Sequence, residues 1–336
     1  MYDVSSLKAQ LVSPKRITIV MHTGPDADAL GTSLALGLFL SAEGHSVQVI
    51  APTAYPDFLS WLPGADKVVV AETYTAEALE ARIGDIDLLF CIDFSTASRL
   101  GLLEFILKKP GVIKVVIDHH TEPEDFADIF FWDPKAAASG EVLFQLIESL
   151  GQKNNLTTSI ATCLYAALIT DTNSFKNPNT TPKTHRIAAE LMEHGVDTFG
   201  VQRLIYDNKS LNRLHFFGFA INQRLIVLPD LHTAYFVIQK EDCKRYHLKQ
   251  GDTDGLIFHA LSLQGIALAA VLQEKEDMVS ISLRSVGELP VNAIAKQYFN
   301  GGGHRNAAGG ISNLSLTETI DQFEQGLKQF MLNHTV

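Results

Sequence analysis

Four apolar stretches of this 336-residue chain end in aspartate or histidine side chains. Each stretch has the composition of a buried strand or helix, and the acidic and imidazole groups follow it directly. These residues are His22, Asp26 and Asp28 after run 17–21, Asp93 after run 88–92, Asp118, His119 and His120 after run 113–117, and Asp171 after run 160–169. In open α/β sheets, ligands bind at the carboxyl ends of the strands. We therefore expect all four ends to converge on one site that holds two metal ions.

Strand-like runs alternate with helical patterns in the first half of the chain, which predicts an α/β fold with a parallel sheet. The predicted strands cover 17–21, 46–50, 67–71, 88–92 and 113–117, and the predicted helices cover 29–42, 75–82, 98–108, 139–150, 159–170 and 182–194. Later strands are predicted at 225–228, 233–239, 266–272 and 279–283, with helices at 254–263, 291–299 and 316–332. We predict a parallel-sheet domain at 1–197, a helical linker at 198–220 and a smaller α/β domain at 221–336, with the active site in the cleft.

The composition excludes several classes of protein. The chain carries 38 acidic and 27 basic residues, a formal net charge of −11, which argues against a protein that coats long duplex nucleic acid. The three cysteines are far apart and two lie in apolar runs, so we expect buried thiols rather than disulfides or a zinc-thiolate site. Neither a secretory signal nor an apolar run of membrane-spanning length is present, which predicts a soluble, cytoplasmic protein.

The first cluster combines one imidazole with two carboxylates. Mixed nitrogen and oxygen ligands of this kind suit Mn²⁺, Co²⁺ or Fe²⁺ better than structural zinc. A structural explanation stays open for Asp28 and Asp93, because each lies beside the start of a predicted helix and would serve as an N-cap. Asp26 has no comparable structural explanation. Asp118 is a candidate to orient a neighbouring imidazole. Eight other histidines are expected to be ordinary surface or core residues: His45, His185, His194, His215, His232, His247, His259 and His334.

The order of these clusters resembles the four motifs of the DHH phosphoesterase superfamily. The matching segments are His22 with 26–31, Ile92-Asp93, 118–120 and 170–172, and the run 301–310 resembles the glycine-rich signature of the DHH-associated second domain. Together these segments extend the resemblance over nearly the whole chain. The two-domain length is most similar to the bacterial nanoRNase/pAp phosphatases, which degrade very short oligonucleotides and 3′-phosphoadenosine 5′-phosphate (pAp).

The resemblance implies a role for each motif residue. The implied ligands are His22, Asp26 and Asp93 for one ion, and Asp28, Asp93, His119 and Asp171 for the other. The implied catalytic residues are Asp93, Asp118 and His120, with His120 facing the substrate phosphate. The implied substrate-binding residues are His120, Arg284, Gly302, Gly303, His304 and Arg305. The ions would be Mn²⁺, with Co²⁺ or Mg²⁺ as alternatives. For Arg284, a surface ion pair stays open as a structural explanation.

The resemblance predicts a hydrolase that cleaves short single-stranded oligonucleotides to mononucleotides and removes the 3′-phosphate of pAp, by two-metal activation of a bridging water. Three alternatives stay open: a cyclic di-adenylate or pApA phosphodiesterase, a hydrolase like manganese inorganic pyrophosphatase or exopolyphosphatase, and a nucleotide-binding sensor that no longer cleaves. The complete ligand sets argue against the sensor. The expected partners are short oligonucleotides and small phosphorylated nucleotides, with no long duplex and no membrane, and a homodimer is left open.

Overall fold

The computed structural model describes residues 2–207, 209–249 and 251–333. The chain forms two compact units, Met1–Asn208 and Lys209–Val336. The predicted helical linker holds two helices, one packed within each unit, and its boundaries at 198 and 220 stay a prediction. His334 lies outside the described residues.

The first unit alternates strands and helices, as predicted. Its strands are β1 (Arg16–Met21), β2 (Ser46–Ala51), β3 (Val69–Val70), β4 (Leu88–Ile92), β5 (Ile113–Asp118) and β6 (Ile129–Trp132). Its helices are α1 (Ser5–Gln10), α2 (Ala27–Ala42), α3 (Ala76–Ile83), α4 (Ser139–Leu150), α5 (Thr158–Asp171), α6 (Pro182–Glu193) and α7 (Thr198–Tyr206).

All six strands of the first sheet are parallel, in the order β3-β2-β1-β4-β5-β6. The chain proceeds from β1 to β2 on one side and to β4 on the other, so the topological switch point lies between β1 and β4. Val115 and Ile117 pack in a core with α2, α4 and α5, while Val116 packs in a second core with α3. Both faces are therefore covered, as an all-parallel sheet requires.

Helix α2 is buried along most of its length, because β1, β2, α4 and α5 surround it. Gly31 sets how closely α2 approaches α5. A Cβ at this position would lie 2.6 Å from the carbonyl oxygen of Cys163, which is closer than any real side chain stands. The two helix backbones are therefore in direct contact, which brings Asp28 at the start of α2 towards Asp171 at the end of α5.

Two expectations for this unit need correction, and one strand was missed. The predicted helix 98–108 is wrong as a regular α-helix: Ala97–Lys108 is 3₁₀, with a break at Gly101 (φ 53°). The predicted strand 67–71 shrinks to two paired residues, because 3₁₀ turns flank it. Strand β6 was not predicted, since four residues of aromatic and β-branched type are too short a run to separate from a loop.

The second unit is a smaller α/β unit, as predicted. Its helices are α8 (Leu211–Gln223), α9 (Lys240–Arg245), α10 (Leu256–Leu261), α11 (Val291–Tyr298) and α12 (Leu316–Asn333). Its strands are β7 (Leu225–Leu228), β8 (Thr233–Ile238), β9 (Leu268–Glu274), β10 (Val279–Ser285), β11 (Gly302–His304) and β12 (Ala307–Ser312), in the sheet order β11-β12-β10-β9-β8-β7. Among the strands that the structure describes in this unit, only β8 and β9 pair in parallel. Helices α11 and α12 cover one face of the sheet, and α8 and α10 cover the other.

The glycine-rich run 301–310 is a β-hairpin at the edge of this sheet. Gly302 pairs with Gly309, and His304 pairs with Ala307. A Cβ at Gly303, where φ is 134°, would lie 2.6 Å from the carbonyl oxygen of Ala307. Glycine is therefore required for the two backbones to approach this closely. The sequence suggested a phosphate-binding loop and did not reveal the pairing.

Two of the three cysteines are buried, as their apolar runs predicted. Cys91 and Cys163 are buried thiols, and Cys243 is half-buried. Across residues 2–207, 209–249 and 251–333, no helix combines the length and the apolar character that are needed to span a bilayer.

Candidate metal centre

The predicted ligands lie at the carboxyl edge of the first sheet. His22 follows β1 and Asp93 follows β4, so these two residues flank the topological switch point. His119 follows β5, the next strand along. Asp93 has a left-handed backbone (φ 62°), a conformation that aspartate tolerates better than most residues. This conformation ends the alternation of side-chain directions along β4. The sheet topology therefore brings together residues that are more than 70 positions apart in the sequence.

One group of ligand atoms comes from the first two strands. The Nε2 atom of His22 lies 3.3 Å from Asp93 Oδ2 and 3.9 Å from Asp26 Oδ1. The side chains of His22 and Asp93 are buried, whereas that of Asp26 is 59% exposed. The three ligand atoms lie within 4.8 Å of one another, close enough to hold a single ion.

A second group comes from β5 and the two contacting helices. His119 Nε2 lies 3.2 Å from Asp171 Oδ2 and 3.7 Å from Asp28 Oδ2. Asp93 Oδ1 is 3.6 Å from the same nitrogen, so Asp93 reaches both groups. Asp171 is the last residue of α5, where the helix dipole disfavours negative charge. A cation in this position would remove that penalty.

The N-terminus of α4 holds two of the carboxylates, and sequence reasoning missed this contribution. The backbone N–H groups of Ser139 and Gly140 donate to Asp28 at 2.7 and 3.0 Å. The Ser139 hydroxyl donates to Asp93 Oδ1 at 2.7 Å, and Thr32 donates to Asp28 Oδ1 at 2.9 Å. A serine at a helix start normally suggests only a cap, and backbone donors leave no sequence pattern, so the signal was weak.

The structural roles of Asp26 and Asp28 differ from expectation. Asp26 is the N-cap of α2, since its Oδ1 accepts from the backbone N–H groups of Asp28 and Ala29, both at 3.0 Å. The suggestion that Asp26 lacks a structural explanation was wrong, as was the suggestion of Asp28 as the cap. Asp28 is buried in the first turn and points to the second group. Asp93 does not cap a helix either. The nearby 3₁₀ helix begins at Ala97, and the backbone N–H of Ala97 donates to the carboxylate of Glu124 instead.

Hydrogen bonds fix the orientation of all three imidazoles. His22 Nδ1 lies 3.0 Å from the carbonyl oxygen of Thr23, and His119 Nδ1 lies 3.2 Å from that of Ala136. A carbonyl oxygen only accepts, so in both rings Nδ1 carries the proton and Nε2 faces the carboxylates. His120 Nδ1 is 2.8 Å from Asp118 Oδ1, so the Asp118 carboxylate is the partner of this ring nitrogen.

The charged groups of the centre shift one another's pKa values. Burial raises the pKa of Asp28 well above its usual range, and the charges of Asp93 and Asp171 raise it further. Burial also acts to raise the pKa of Asp93, but the hydrogen bond from His22 and the charges of the neighbouring imidazoles lower it overall. For His119, burial opposes the charged form, yet the hydrogen bond and charge of Asp171 raise its pKa. The carboxylates therefore repel one another and favour a bound cation.

The residues present fit divalent metal ions. The two groups offer carboxylate oxygens and imidazole nitrogens and no thiolate, the donor set that suits Mn²⁺ and Co²⁺, with Mg²⁺ favoured by the oxygens alone. The carboxylates outnumber the imidazoles, so bound cations would offset a buried excess of negative charge. Carbonyl, hydroxyl and backbone N–H groups hold these side chains in place. Hydrogen-bond partners of this kind orient the ligands in known metal sites.

In the second unit, two predicted substrate residues share one row of the sheet. His304 pairs with Ala307, and Ala307 pairs with Arg284 on the next strand. Cross-strand partners point to the same face, so His304 and Arg284 lie on one face, roughly 10 Å apart across two strand spacings. Gly302 and Gly303 are exposed in the same hairpin. The guanidinium of Arg305 donates to the backbone oxygen of Glu288 at 2.8 and 3.2 Å. It also contacts the carboxylate of Glu288.

Comparison with known proteins agrees with this geometry. The model of the DHH family N-terminal domain matches residues 16–168, and the model of the DHHA1 domain matches residues 235–333. A crystal structure of an exopolyphosphatase-related protein from Bacteroides fragilis superimposes with a TM-score of 0.93 at 32% identity, over 97% of this chain and 96% of that one.

Two curated relatives carry functional names. A bifunctional oligoribonuclease and PAP phosphatase from Thermus thermophilus is 28% identical, over 93% of this chain and 89% of its own. A cyclic-di-AMP phosphodiesterase from Bacillus subtilis is 27% identical, over 97% of this chain but only 49% of its own length. One conclusion follows from the family matches, the high structural similarity and the converging carboxylates and imidazoles. The chain belongs to the DHH phosphoesterase family, with a DHH N-terminal domain followed by a DHHA1 domain.

Proposed function

We propose that this phosphoesterase hydrolyses short oligonucleotides to mononucleotides and removes the 3′-phosphate of pAp. The observation that carries the proposal is the meeting of two ligand groups at Asp93, whose two carboxylate oxygens reach His22 and His119. The similarity to the oligoribonuclease and PAP phosphatase of Thermus thermophilus, which extends over most of both chains, supports the choice of substrate.

The proposed ligand sets follow the two groups. His22, Asp26 and Asp93 would hold one ion, and Asp28, His119 and Asp171 would hold the other together with Asp93, which lies 3.6 Å from His119. When bound, two divalent ions acidify water and polarise a phosphoryl oxygen. Mn²⁺ is the proposed ion, with Co²⁺ or Mg²⁺ as alternatives.

The residues of the chain have separate proposed tasks. Ser139 holds one Asp93 oxygen through its hydroxyl and so fixes the shared carboxylate between the two groups. Asp118 orients the ring of His120, which is proposed to contact the substrate phosphate. Arg284 and His304 of the second unit are proposed to bind phosphate oxygens, because cationic and imidazole donors on one sheet face suit an anion. Arg305 would act with them if it exchanged Glu288 for substrate.

The test is a panel of substrates with the EDTA-treated protein and added Mn²⁺. The panel contains a 5′-phosphorylated dinucleotide, pAp, cyclic di-adenylate and pyrophosphate. Release of mononucleotide from the dinucleotide and of phosphate from pAp, with pyrophosphate unchanged, is the expected result. Turnover of pyrophosphate alone would contradict the proposed substrate class and leave the metal centre intact.

A cyclic-dinucleotide phosphodiesterase is the second candidate. The similarity to the Bacillus subtilis enzyme, which extends over 97% of this chain, favours it. The same panel separates the two candidates, because only this second one predicts faster turnover of cyclic di-adenylate than of the linear dinucleotide. Binding of nucleotide without turnover of any substrate would instead indicate a sensor.

The role of His120 has its own test. His120→Ala should lower kcat by about 100-fold or more, the usual effect of removing one donor that stabilises charge on the reacting phosphate, while Mn²⁺ binding is retained. His215→Ala, at an exposed position on α8, is the matched control. If His120→Ala abolished Mn²⁺ binding, the residue would be a ligand and the assigned role would be wrong.

A further inference from the structure

An open cavity of about 230 Å³ lies in the first unit at the edge of its sheet. Its floor consists of Phe130 and Trp132, which are two residues apart on β6 and therefore face the same side of the sheet. The loop 123–125 forms its rim. Trp132 pairs in register with Asp118, at the carboxyl ends of β5 and β6. The cavity thus opens at the edge of the sheet where the metal ligands are.

A direct hydrogen bond joins the cavity to the proposed catalytic histidine. Trp132 Nε1 donates to the carbonyl oxygen of His120 at 2.6 Å. The ring of the same histidine is bound to Asp118, the register partner of Trp132. A group that rests on the indole is therefore next to the residue that is proposed to contact the substrate phosphate.

Hydrogen bonds to the segment after Asp93 hold the rim of the cavity in place. The backbone N–H of Glu124 donates to the carbonyl oxygen of Ser95 at 2.8 Å, and its carboxylate accepts from the N–H of Ala97 at 2.8 Å. Both partners belong to the segment that directly follows Asp93. The cavity is therefore largely preformed, as small-molecule sites usually are.

The lining defines the chemistry of the ligand. An indole and a phenyl ring favour a flat aromatic group, which they bind by stacking with little regard to its identity. The exposed carboxylates of Glu124 and Asp125 on the rim repel phosphate but accept hydrogen bonds from N–H donors. A nucleobase has both properties, since it is flat, uncharged and carries ring or exocyclic N–H groups.

We propose that this pocket binds a nucleobase of the substrate, stacked on Trp132 and Phe130, beside the phosphate that is cleaved. The proposal rests on the proposed nucleotide substrate and adds the site that recognises the base. Asp125 is assigned to hydrogen bonding with the N–H groups of the base. Adenine and cytosine offer that carboxylate an exocyclic amine, uracil offers a ring N–H, and guanine offers both side by side.

Tryptophan fluorescence tests binding without any need for turnover. The chain has two tryptophans, so Trp61→Phe leaves Trp132 as the single reporter. Titration with adenosine 5′-monophosphate in Mg²⁺ should quench this fluorescence saturably. Ribose 5-phosphate, which has the same phosphate and no base, should not quench it. Equal responses to both ligands, or no response to either, would overturn the proposal.

Kinetics with base-containing and base-free substrates test the contribution to cleavage. Trp132→Ala should lower kcat/KM for a 5′-phosphorylated dinucleotide by about 5- to 150-fold, the range expected from the loss of one stacked base. It should leave the value for the corresponding abasic substrate within about twofold. Trp132→Phe keeps an aromatic floor without the indole N–H and should retain most of the base-dependent rate, which separates stacking from loss of the bond to His120.

The outcomes distinguish this proposal from the proposed function. If no nucleotide substrate were cleaved by the unsubstituted protein, the proposed function would fail, and the fluorescence titration would still decide whether the pocket binds a base. If the dinucleotide were cleaved but Trp132→Ala reduced its rate and that of the abasic substrate equally, the pocket would be structural and only the base-binding proposal would fail.

Discussion

Replacement of Gly31 by alanine tests the packing that brings the two ligand-bearing helices together. A Cβ at Gly31 would lie 2.6 Å from the carbonyl oxygen of Cys163 and 3.4 Å from the Cβ of Ala167. The first neighbour is backbone and cannot rotate away, so α2 and α5 would have to separate. Gly218 on α8 is a matched control, because an added Cβ meets nothing within 4 Å there.

The two substitutions should change stability in opposite directions. Alanine is favoured over glycine inside a helix by about 0.5–1 kcal/mol, so Gly218→Ala should stabilise the protein by about that amount. Overpacking costs about 1–3 kcal/mol, and a contact with rigid backbone belongs in the upper part of that range. After the helix preference is subtracted, Gly31→Ala should destabilise the first unit by about 1–2 kcal/mol.

Urea denaturation measures both effects. Trp61 and Trp132 lie in the first unit, so fluorescence follows its unfolding, and far-ultraviolet circular dichroism follows both units. Gly31→Ala should also weaken Mn²⁺ binding, since Asp28 and Asp171 lie on the helices that separate. If Gly31→Ala stabilised the protein as Gly218→Ala does, the close helix contact would not exist and the reasoning would be refuted.

Substitutions at three further positions test separate features. Ser139→Ala removes the hydroxyl that donates to Asp93 and should weaken Mn²⁺ binding by about 10- to 100-fold in calorimetry. Hydrogen bonds from Arg16 lower the pKa of Asp87 to about 2, so the folded protein binds fewer protons than the unfolded chain. This stabilisation is present above about pH 4 and is lost as the pH falls towards 2. The urea midpoint of Asp87→Asn should therefore change less between pH 4 and pH 2 than that of the parent protein. Asn173 has φ 47°, so Asn173→Gly should stabilise by up to about 1 kcal/mol and Asn173→Val should destabilise.

Each of these predictions has a clear opposite outcome. Ser149→Ala on the same helix is the control for Ser139→Ala, and equal Mn²⁺ affinities of the two variants would exclude a role for the Ser139 hydroxyl. If the Asp87→Asn protein lost stability between pH 4 and pH 2 as steeply as the parent, the ion pair with Arg16 would not be responsible. If valine at position 173 were as stable as glycine, the left-handed turn would carry no strain.

Much of the first domain could be predicted from the sequence, because its information is local. The apolar runs before His22, Asp93 and His119 are strands, and parallel strands place their carboxyl ends at one edge. The convergence of these residues follows from topology alone. Their assignment as metal ligands stays a prediction that the substitutions above address.

Other features depend on contacts that no local pattern encodes. Ser139 acts on Asp93 from 46 positions away, and its type is common at any helix start. Trp132 belongs to a four-residue strand whose position is defined only by its pairing with β5. In the run 301–310, glycine content suggested a loop, whereas cross-strand pairing makes it a hairpin. Asp26 was misjudged because helix α2 begins two residues earlier than the apolar pattern indicated.

Mn²⁺ stoichiometry tests the central claim most directly. The EDTA-treated protein is titrated with Mn²⁺ by calorimetry, beside Asp93→Ala and the surface control Asp66→Ala. We expect two ions per chain in the unsubstituted protein and in Asp66→Ala, and loss of high-affinity binding at both positions in Asp93→Ala. Fewer than two ions in the unsubstituted protein, or two ions bound with unchanged affinity in Asp93→Ala, would contradict a two-metal centre that shares this carboxylate.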